Sequence, residues 1–323
     1  MRTDGGTAFG AALILGGMAV LGITDNFVRL ISDAAGLWQF HLLRSAMALP
    51  MLAFAAALLG IGLRPRRPGA VAVRSAVQTA AMLLYFGALA MMPIAQVGAA
   101  LFTAPVWVLL FSSLFFGYRI GPRRALAVAL GFAGVLVMLR PDPANLSALA
   151  LMPVAAGALY GLSNLLTREW CAEEPVGALL AGFFGGLALA ATLALAVLAV
   201  VDAPETWRAA APFLTAPWRA PSGGLLFWIF VQAAGSLLAV GMIARGYQSG
   251  KTSALAVFEY SFLLTASFWA WVLWGEALMP VDFLGIAMIV ASGAIIASAG
   301  AGATLAADPA REVQAASAGR KRP

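Results

Sequence analysis

Five titratable side chains stand in stretches that otherwise hold almost only carbon: Asp25 and Arg29 in "GITDNFVR", His41 and Arg44 in "FHLLRSAMALP", and Glu259 in "AVFEYSF". A carboxyl in apolar surroundings favours its protonated form, the behaviour a proton-coupled carrier uses. A guanidinium there presents five N–H donors in a rigid fork, suited to a carboxylate or an anionic group on a solute. Together these groups can pair with one another, bind a polar solute or take up a proton. Other chemistries lack their parts. His41 has no serine partner in a G-x-S-x-G setting, as an intramembrane protease would need. His41 and Cys171 are the single members of their types, so no intrachain disulfide and no His/Cys metal cluster is expected. No G-x-x-x-x-G-K-[ST] occurs, and no cofactor is expected.

The elements that carry these residues follow from composition. Of 323 residues 62% are hydrophobic and 11% charged, which a water-soluble domain cannot accommodate. The apolar runs match the ~30 Å thickness of bilayer hydrocarbon. Because unpaired backbone is so costly in lipid and the runs do not alternate, they are read as α-helices. Ten are expected, over about 8–31, 37–62, 75–92, 96–117, 125–139, 148–167, 177–201, 223–244, 253–274 and 281–300. The first is too long for a signal-peptide core and lacks a cleavage-like end, so it is expected to stay in the mature chain. The segment 301–323, ending "AGRKRP", reads as a disordered cytoplasmic tail.

Loop arginines set the orientation. With the N-terminus inside, the cytoplasmic side holds Arg2, Arg64, Arg66, Arg67, Arg74, Arg119, Arg123, Arg124, Arg168, Arg245, Lys251, Arg311, Arg320, Lys321 and Arg322, which is 15 bases. The other side holds Arg140, Arg208 and Arg219, which is 3. Both ends are therefore expected in the cytoplasm, with the bases in loops and tails rather than on a face for nucleic acid.

Three segments recur in order. "GITDNFVR" (22–29) returns as "GLSNLLTR" (161–168), "VQTAAMLLYFG" (77–87) as "VQAAGSLLAVG" (231–241), and "GYRIGP" (117–122) as "GEALMP" (275–280). The chain thus reads as two five-helix halves, 1–145 and 146–300. An odd number of helices per half inverts the second in the membrane. The loop after the fourth helix carries three arginines and its counterpart after the ninth none, as inversion requires. Inverted repeats are a common plan of secondary transporters, with the substrate near the midplane.

On these features the chain resembles the EamA family of the drug/metabolite transporter superfamily over nearly all of 8–300. The carriers are the five-plus-five repeat, Arg44 in "FHLLRSAMALP", "AQVGAALFTAPVWVLLFSSLFFG" with Pro105, and "SALAVFEYSFLLTASFWAWVLWGEALMPVDFLGIAMIVASG" with Glu276, Gly285 and Gly293. Tyr118 stands where such proteins often have the glutamate that Glu276 supplies, and Leu263 where a proline is frequent, so the halves are not equivalent. The resemblance implies an all-α membrane protein of ten transmembrane helices in two inverted repeats. It also implies a transporter rather than an enzyme.

The expected function is secondary transport, inward or outward, of a small polar organic metabolite, amino-acid-like in character, by alternating access with protons as the candidate coupling ion. An intramembrane enzyme and a structural or signalling protein are the alternatives. The expected setting is a bacterial inner membrane, with lipid as the other partner. The candidate site comprises Asp25, Arg29, His41, Arg44, Gln78, Tyr85, Asn164, Gln232, Glu259 and Tyr260, and Trp107 and Trp269 are further candidates for an aromatic wall. At 1.5 Å per residue, Asp25 and Arg44 lie about 9 and 10 Å below the same surface, so they are expected to meet. Arg29 can pair or reach the interface, and Glu259 has only Arg245 or Lys251 within prospect. Structural readings stand beside these: a buried fastener for Asp25–Arg44, a hydrogen bonder for His41, an interhelical bond for the glutamines and core or lipid contact for the aromatics.

Overall fold

The computed structural model describes residues 4–32, 34–89, 92, 94–141, 151–276 and 278–305, and among them every regular element is helical. The first span is α1 (Asp4–Thr24), a 3-10 turn at Asp25–Phe27 and α2 (Val28–Ser32). The second is α3 (Leu37–Leu59), the third α4 (Pro68–Leu89), the fourth α5 (Ile94–Leu101) with α6 (Ala104–Phe116), and the fifth α7 (Pro122–Leu139). The sixth is α8 (Leu151–Glu169) and the seventh α9 (Val176–Val200), followed by the short loop helices α10 (Glu205–Ala210) and α11 (Pro212–Thr215). The eighth is α12 (Gly223–Ser249). The ninth is α13 (Thr252–Leu255), a 3-10 turn at Ala256–Tyr260 and α14 (Ser261–Trp274), and the tenth is α15 (Pro280–Leu305). Among the described residues nine of these ten are long and apolar enough to cross a bilayer. The remaining one, α8, dilutes its hydropathy with Ser163, Asn164, Thr167, Arg168 and Glu169 and packs inside the bundle against α4, α5 and α6. The chain is an integral membrane protein.

The recurring residues have backbone reasons. Gly117 and Gly275 both adopt positive φ, 65° and 70°, and end α6 and α14 in the left-handed conformation that glycine reaches without a Cβ penalty. Pro122 and Pro280 open α7 and α15, where a missing N–H is harmless. "GYRIGP" and "GEALMP" therefore encode the same stop and restart. The fourth span, expected as one helix, breaks at Phe102 and Thr103, because Pro105 has no N–H to donate back and its ring crowds the carbonyl four residues before. The ninth span has Leu263 at the matching place and bends through its 3-10 turn instead.

The main contacts repeat under exchange of the two sets of five spans. The pairs α7·α15 and α3·α9 map onto themselves, α1·α12 maps onto α4·α8, and α1·α14 maps onto α6·α8. This is the inverted repeat in three dimensions. Small residues allow the close crossings. A Cβ on Gly134 would lie 2.8 Å from the Gly285 carbonyl oxygen, and one on Gly285 would lie 2.8 Å from that of Gly134. Gly10 and Gly246 face each other in the same way across α1 and α12.

Several expected bounds move. The third helix begins at Pro68 rather than 75, which takes Arg74 out of the loop and into the bundle, where it is 1% exposed. The tenth continues to Leu305, while 142–150, where the two halves join, and 306–323, most of the expected tail, lie outside the described residues. Because α7 and α15 pack on one another, Gly134→Leu or Gly285→Leu is expected to overpack that crossing by about 1–3 kcal/mol. Thermal melting of the purified protein should drop, while the surviving folded fraction binds ligand with unchanged affinity.

Candidate functional site

The third span builds one wall of a central cavity. Arg74, Gln78, Met82, Tyr85 and Phe86 recur at helical spacing along α4, and all five line the cavity. The cavity encloses about 980 Å³ of empty volume including its open mouth. The first, second, fourth, sixth, seventh, eighth and ninth spans supply the other walls. The fifth and tenth contribute no lining residue. The wall is largely apolar and aromatic, and its polar groups form two clusters at different depths.

The outer cluster centres on Asp25, in the 3-10 turn about 10 Å from the end of the first span at Ser32. Its Oδ1 accepts a 2.6 Å hydrogen bond from Gln232 Nε2 on α12. Gln232 Oε1 in turn accepts from Ser236 Oγ at 2.6 Å. Arg44 lines the same cavity but makes no ion pair with Asp25, contrary to expectation. Its Nη2 donates to His41 Nδ1 at 3.2 Å, and its Cζ lies 4.9, 5.9 and 6.0 Å from the rings of Phe40, Phe86 and Phe184. Ring faces thus surround the guanidinium, and the Asp25 carboxyl acts on it electrostatically without direct contact. Arg44 Nε is buried without a partner.

The inner cluster centres on Glu259, in the 3-10 turn of the ninth span about 10 Å from its start at Thr252. Glu259 Oε1 accepts from Tyr247 OH at 2.6 Å, Asn164 Nδ2 at 3.0 Å and Tyr160 OH at 3.3 Å. Neither Arg245 nor Lys251 reaches it: Arg245 Nη1 donates instead to Gln248 Oε1. Three neutral donors hold this carboxyl, all on Oε1 among the described residues, and Glu259 lines the cavity wall. Nearby on α4, Arg74 Nε donates to Thr167 Oγ1 at 2.8 Å, while its Nη1 and the Oε1 of Gln78 are buried and unpartnered.

Of the residues expected in the site, Asp25, Arg44, Gln78, Tyr85 and Glu259 line this one cavity. Gln232 and Asn164 stand behind it, holding Asp25 and Glu259. His41 backs Arg44. Four candidates lie elsewhere. Arg29 sits on the rim, 3.0 Å from Glu276 Oε1 and 4.5 Å from the centre of the Trp274 ring, because the 3-10 turn separates it from Asp25. Tyr260 is buried against α7, its OH reaching Val128 O, and does not line the cavity. Trp107 stacks on Phe111 and bonds Thr103, and Trp269 packs on Phe268, so neither forms the wall. Sequence reasoning missed Arg74, Tyr160, Tyr247 and Ser236. Pro68, a helix-opening proline six residues before Arg74, was the available signal for the first of them.

A profile of the EamA-like transporter family matches residues 8–140. A riboflavin transporter of Rhizobium johnstonii is 34% identical over 173 residues, 51% of this chain and 55% of its own, so the chain spans about half the length of that relative. A riboflavin transporter of Vibrio cholerae is 25% identical over 291 residues, 86% of this chain and 91% of its own. A solved crystal structure, 20% identical, superposes with a TM-score of 0.72 over 88% of this chain and 95% of its own, which shows the same fold.

The rim and cavity placements are separable by labelling. With the single Cys171, itself buried, changed to Ala, Arg29→Cys is expected to react with a water-soluble maleimide about tenfold or more faster than Gln78→Cys. Equal rates measured by mass spectrometry would contradict the burial of Gln78.

Proposed function

We infer that this chain, a member of the EamA-like transporter family through residues 8–140, carries a flat, ring-bearing organic metabolite through the central cavity by alternating access. Its relatives are transporters, and it is a small-molecule transporter and not an enzyme. One observation carries the finer reading. Tyr85, Phe86, Phe102, Tyr160, Phe183 and Phe262 line a single cavity that also holds carboxyl, guanidinium and amide groups. Aromatic faces suit a planar ring system, and the interspersed polar groups suit its heteroatoms and hydroxyls. Riboflavin, with a flat three-ring body and a polyhydroxylated chain, fits both demands, and the riboflavin transporters among the relatives point the same way. The acid–base set alone fits an amino-acid-like solute, but such a cargo would leave the aromatic wall unused.

Asp25 and Glu259 are the candidate proton carriers. Each is a buried carboxyl held by neutral donors rather than by a base, so its charge can change without breaking an ion pair. The halves 1–145 and 146–300 rock about the cavity between them. The membrane is a bacterial inner membrane with both ends of the chain cytoplasmic. With Arg74 removed from the loop count, 15 − 1 leaves 14 bases inside against 3 outside.

Purified protein in proteoliposomes should exchange labelled riboflavin for unlabelled riboflavin and leave a mixture of amino acids untouched. Amino-acid exchange without riboflavin exchange would reverse the substrate reading. Under an imposed pH gradient, Asp25→Asn or Glu259→Gln is expected to abolish uphill accumulation while exchange at equal pH persists. If both variants accumulate substrate like the unaltered protein, protons are not coupled through these carboxyls.

A further inference from the structure

Arg74 and Gln78 stand one helical turn apart on the face of α4 that lines the cavity, and are 1% and 4% exposed. Side chains so placed ordinarily bond each other, since a guanidinium donates and an amide oxygen accepts. Here they do not: Arg74 Nη1 and Gln78 Oε1 are both buried without a partner. Arg74 is held from its other edge, where Nε donates to Thr167 Oγ1, which itself donates to the Ser163 carbonyl at 2.8 Å. No carboxylate pairs with Arg74 among the described residues. A neutral hydroxyl therefore fixes one edge of the fork and leaves Nη1 without a partner on a side chain that lines the cavity. Above this pair on the same stripe come Met82, Tyr85 and Phe86, an apolar and aromatic surface continuous with it.

We propose that Arg74 and Gln78 form a recognition edge for a cyclic imide or lactam, the Arg74 guanidinium donating to a ring carbonyl and the Gln78 carbonyl accepting from the adjacent ring N–H. The assignment rests on reading the cavity as the transport site. A carboxylate would supply two acceptors and leave the Gln78 oxygen unpaired. An amide-type edge supplies one acceptor and one donor side by side and satisfies both atoms at once. The ring attached to that edge lies along Met82, Tyr85 and Phe86. The pyrimidinedione end of a flavin carries such an edge at its N3–H.

Flavin fluorescence quenching on the full-length purified protein tests this with riboflavin and N3-methylriboflavin. In the unaltered protein, methylation is expected to weaken binding about tenfold or more, because it removes the N–H that Gln78 accepts. In Gln78→Leu both flavins should bind with nearly the same, weakened affinity. Arg74→Lys, which keeps the charge but loses the fork, should weaken both flavins alike. Riboflavin and its N3-methyl derivative binding the unaltered protein within twofold of each other would overturn the assignment without any variant having to fold, and would leave the flavin reading standing. Absence of binding by either flavin would overturn the flavin reading of the cavity and this edge with it.

Discussion

Two carboxyls and two guanidiniums sit at bilayer depth, where each uncompensated charge costs at least ~2.5–3.5 kcal/mol on insertion scales, and the interior is organised by how that cost is met. The direct solution, neutralising acid with base, is not the one adopted. Asp25 takes an amide donor from Gln232, and Glu259 takes two phenols and an amide from Tyr247, Tyr160 and Asn164. Arg44 is surrounded by the rings of Phe40, Phe86 and Phe184, and Arg74 is tied to a threonine hydroxyl. Acids and bases therefore face the same cavity without closing an ion pair there among the described residues. An Asp25–Arg44 pair would have fastened the first span to the second and removed both groups from use.

The pseudo-twofold fold carries unlike chemistry at like positions. Arg29 on the first span meets Glu276 after the ninth; their repeat counterparts are Arg168 and Tyr118, and Tyr118 OH donates to the adjacent Glu169. At the ends of the α3·α9 pair, Gln39 exchanges two hydrogen bonds with the backbone of Arg219 on one face. On the other, the Glu174 carboxylate accepts the backbone N–H groups of Arg66 and Arg67 just before α4, where the helix dipole favours an anion. The start of α3 is thus tied to the backbone ahead of α12, and the start of α9 to the backbone ahead of α4. The seams closed by Arg29–Glu276 and Tyr118–Glu169 rest on exposed side chains, whose contacts are worth little in water.

That Asp25 and Arg44 would come to one place was legible in the sequence, and rotation about each helix axis was not. The two residues line one cavity, yet run length and rise per residue do not say which neighbour a side chain turns toward. Gln232, on a span the depth argument did not compare, is the one that reaches Asp25. The repeat itself was readable because glycine and proline answer to backbone rules that tolerate few substitutes, as Gly117, Gly275, Pro122 and Pro280 show. Arg74 was hidden for a different reason. Counting loop arginines assigns any base near a helix end to water, whereas Arg74 is six residues inside α4 and fully packed. Tyr160 and Tyr247 were overlooked because tyrosine in a membrane protein is ordinarily explained by packing or the interface, and nothing local marks a phenol that serves a carboxyl ninety-nine or twelve residues away.

The repeat also explains why the acids need not be symmetric for the path to be. Asp25 aligns with Asn164, and Glu259 aligns with Leu101 under the register of "GYRIGP" and "GEALMP". Each half has surrendered the acid at one of these positions and kept it at the other. The two retained acids line one cavity together with Arg44 and Arg74. The wall thus carries two carboxyls, one from each set of five spans, and two guanidiniums, both from the first, with the aromatic stripe of α4 on the same surface.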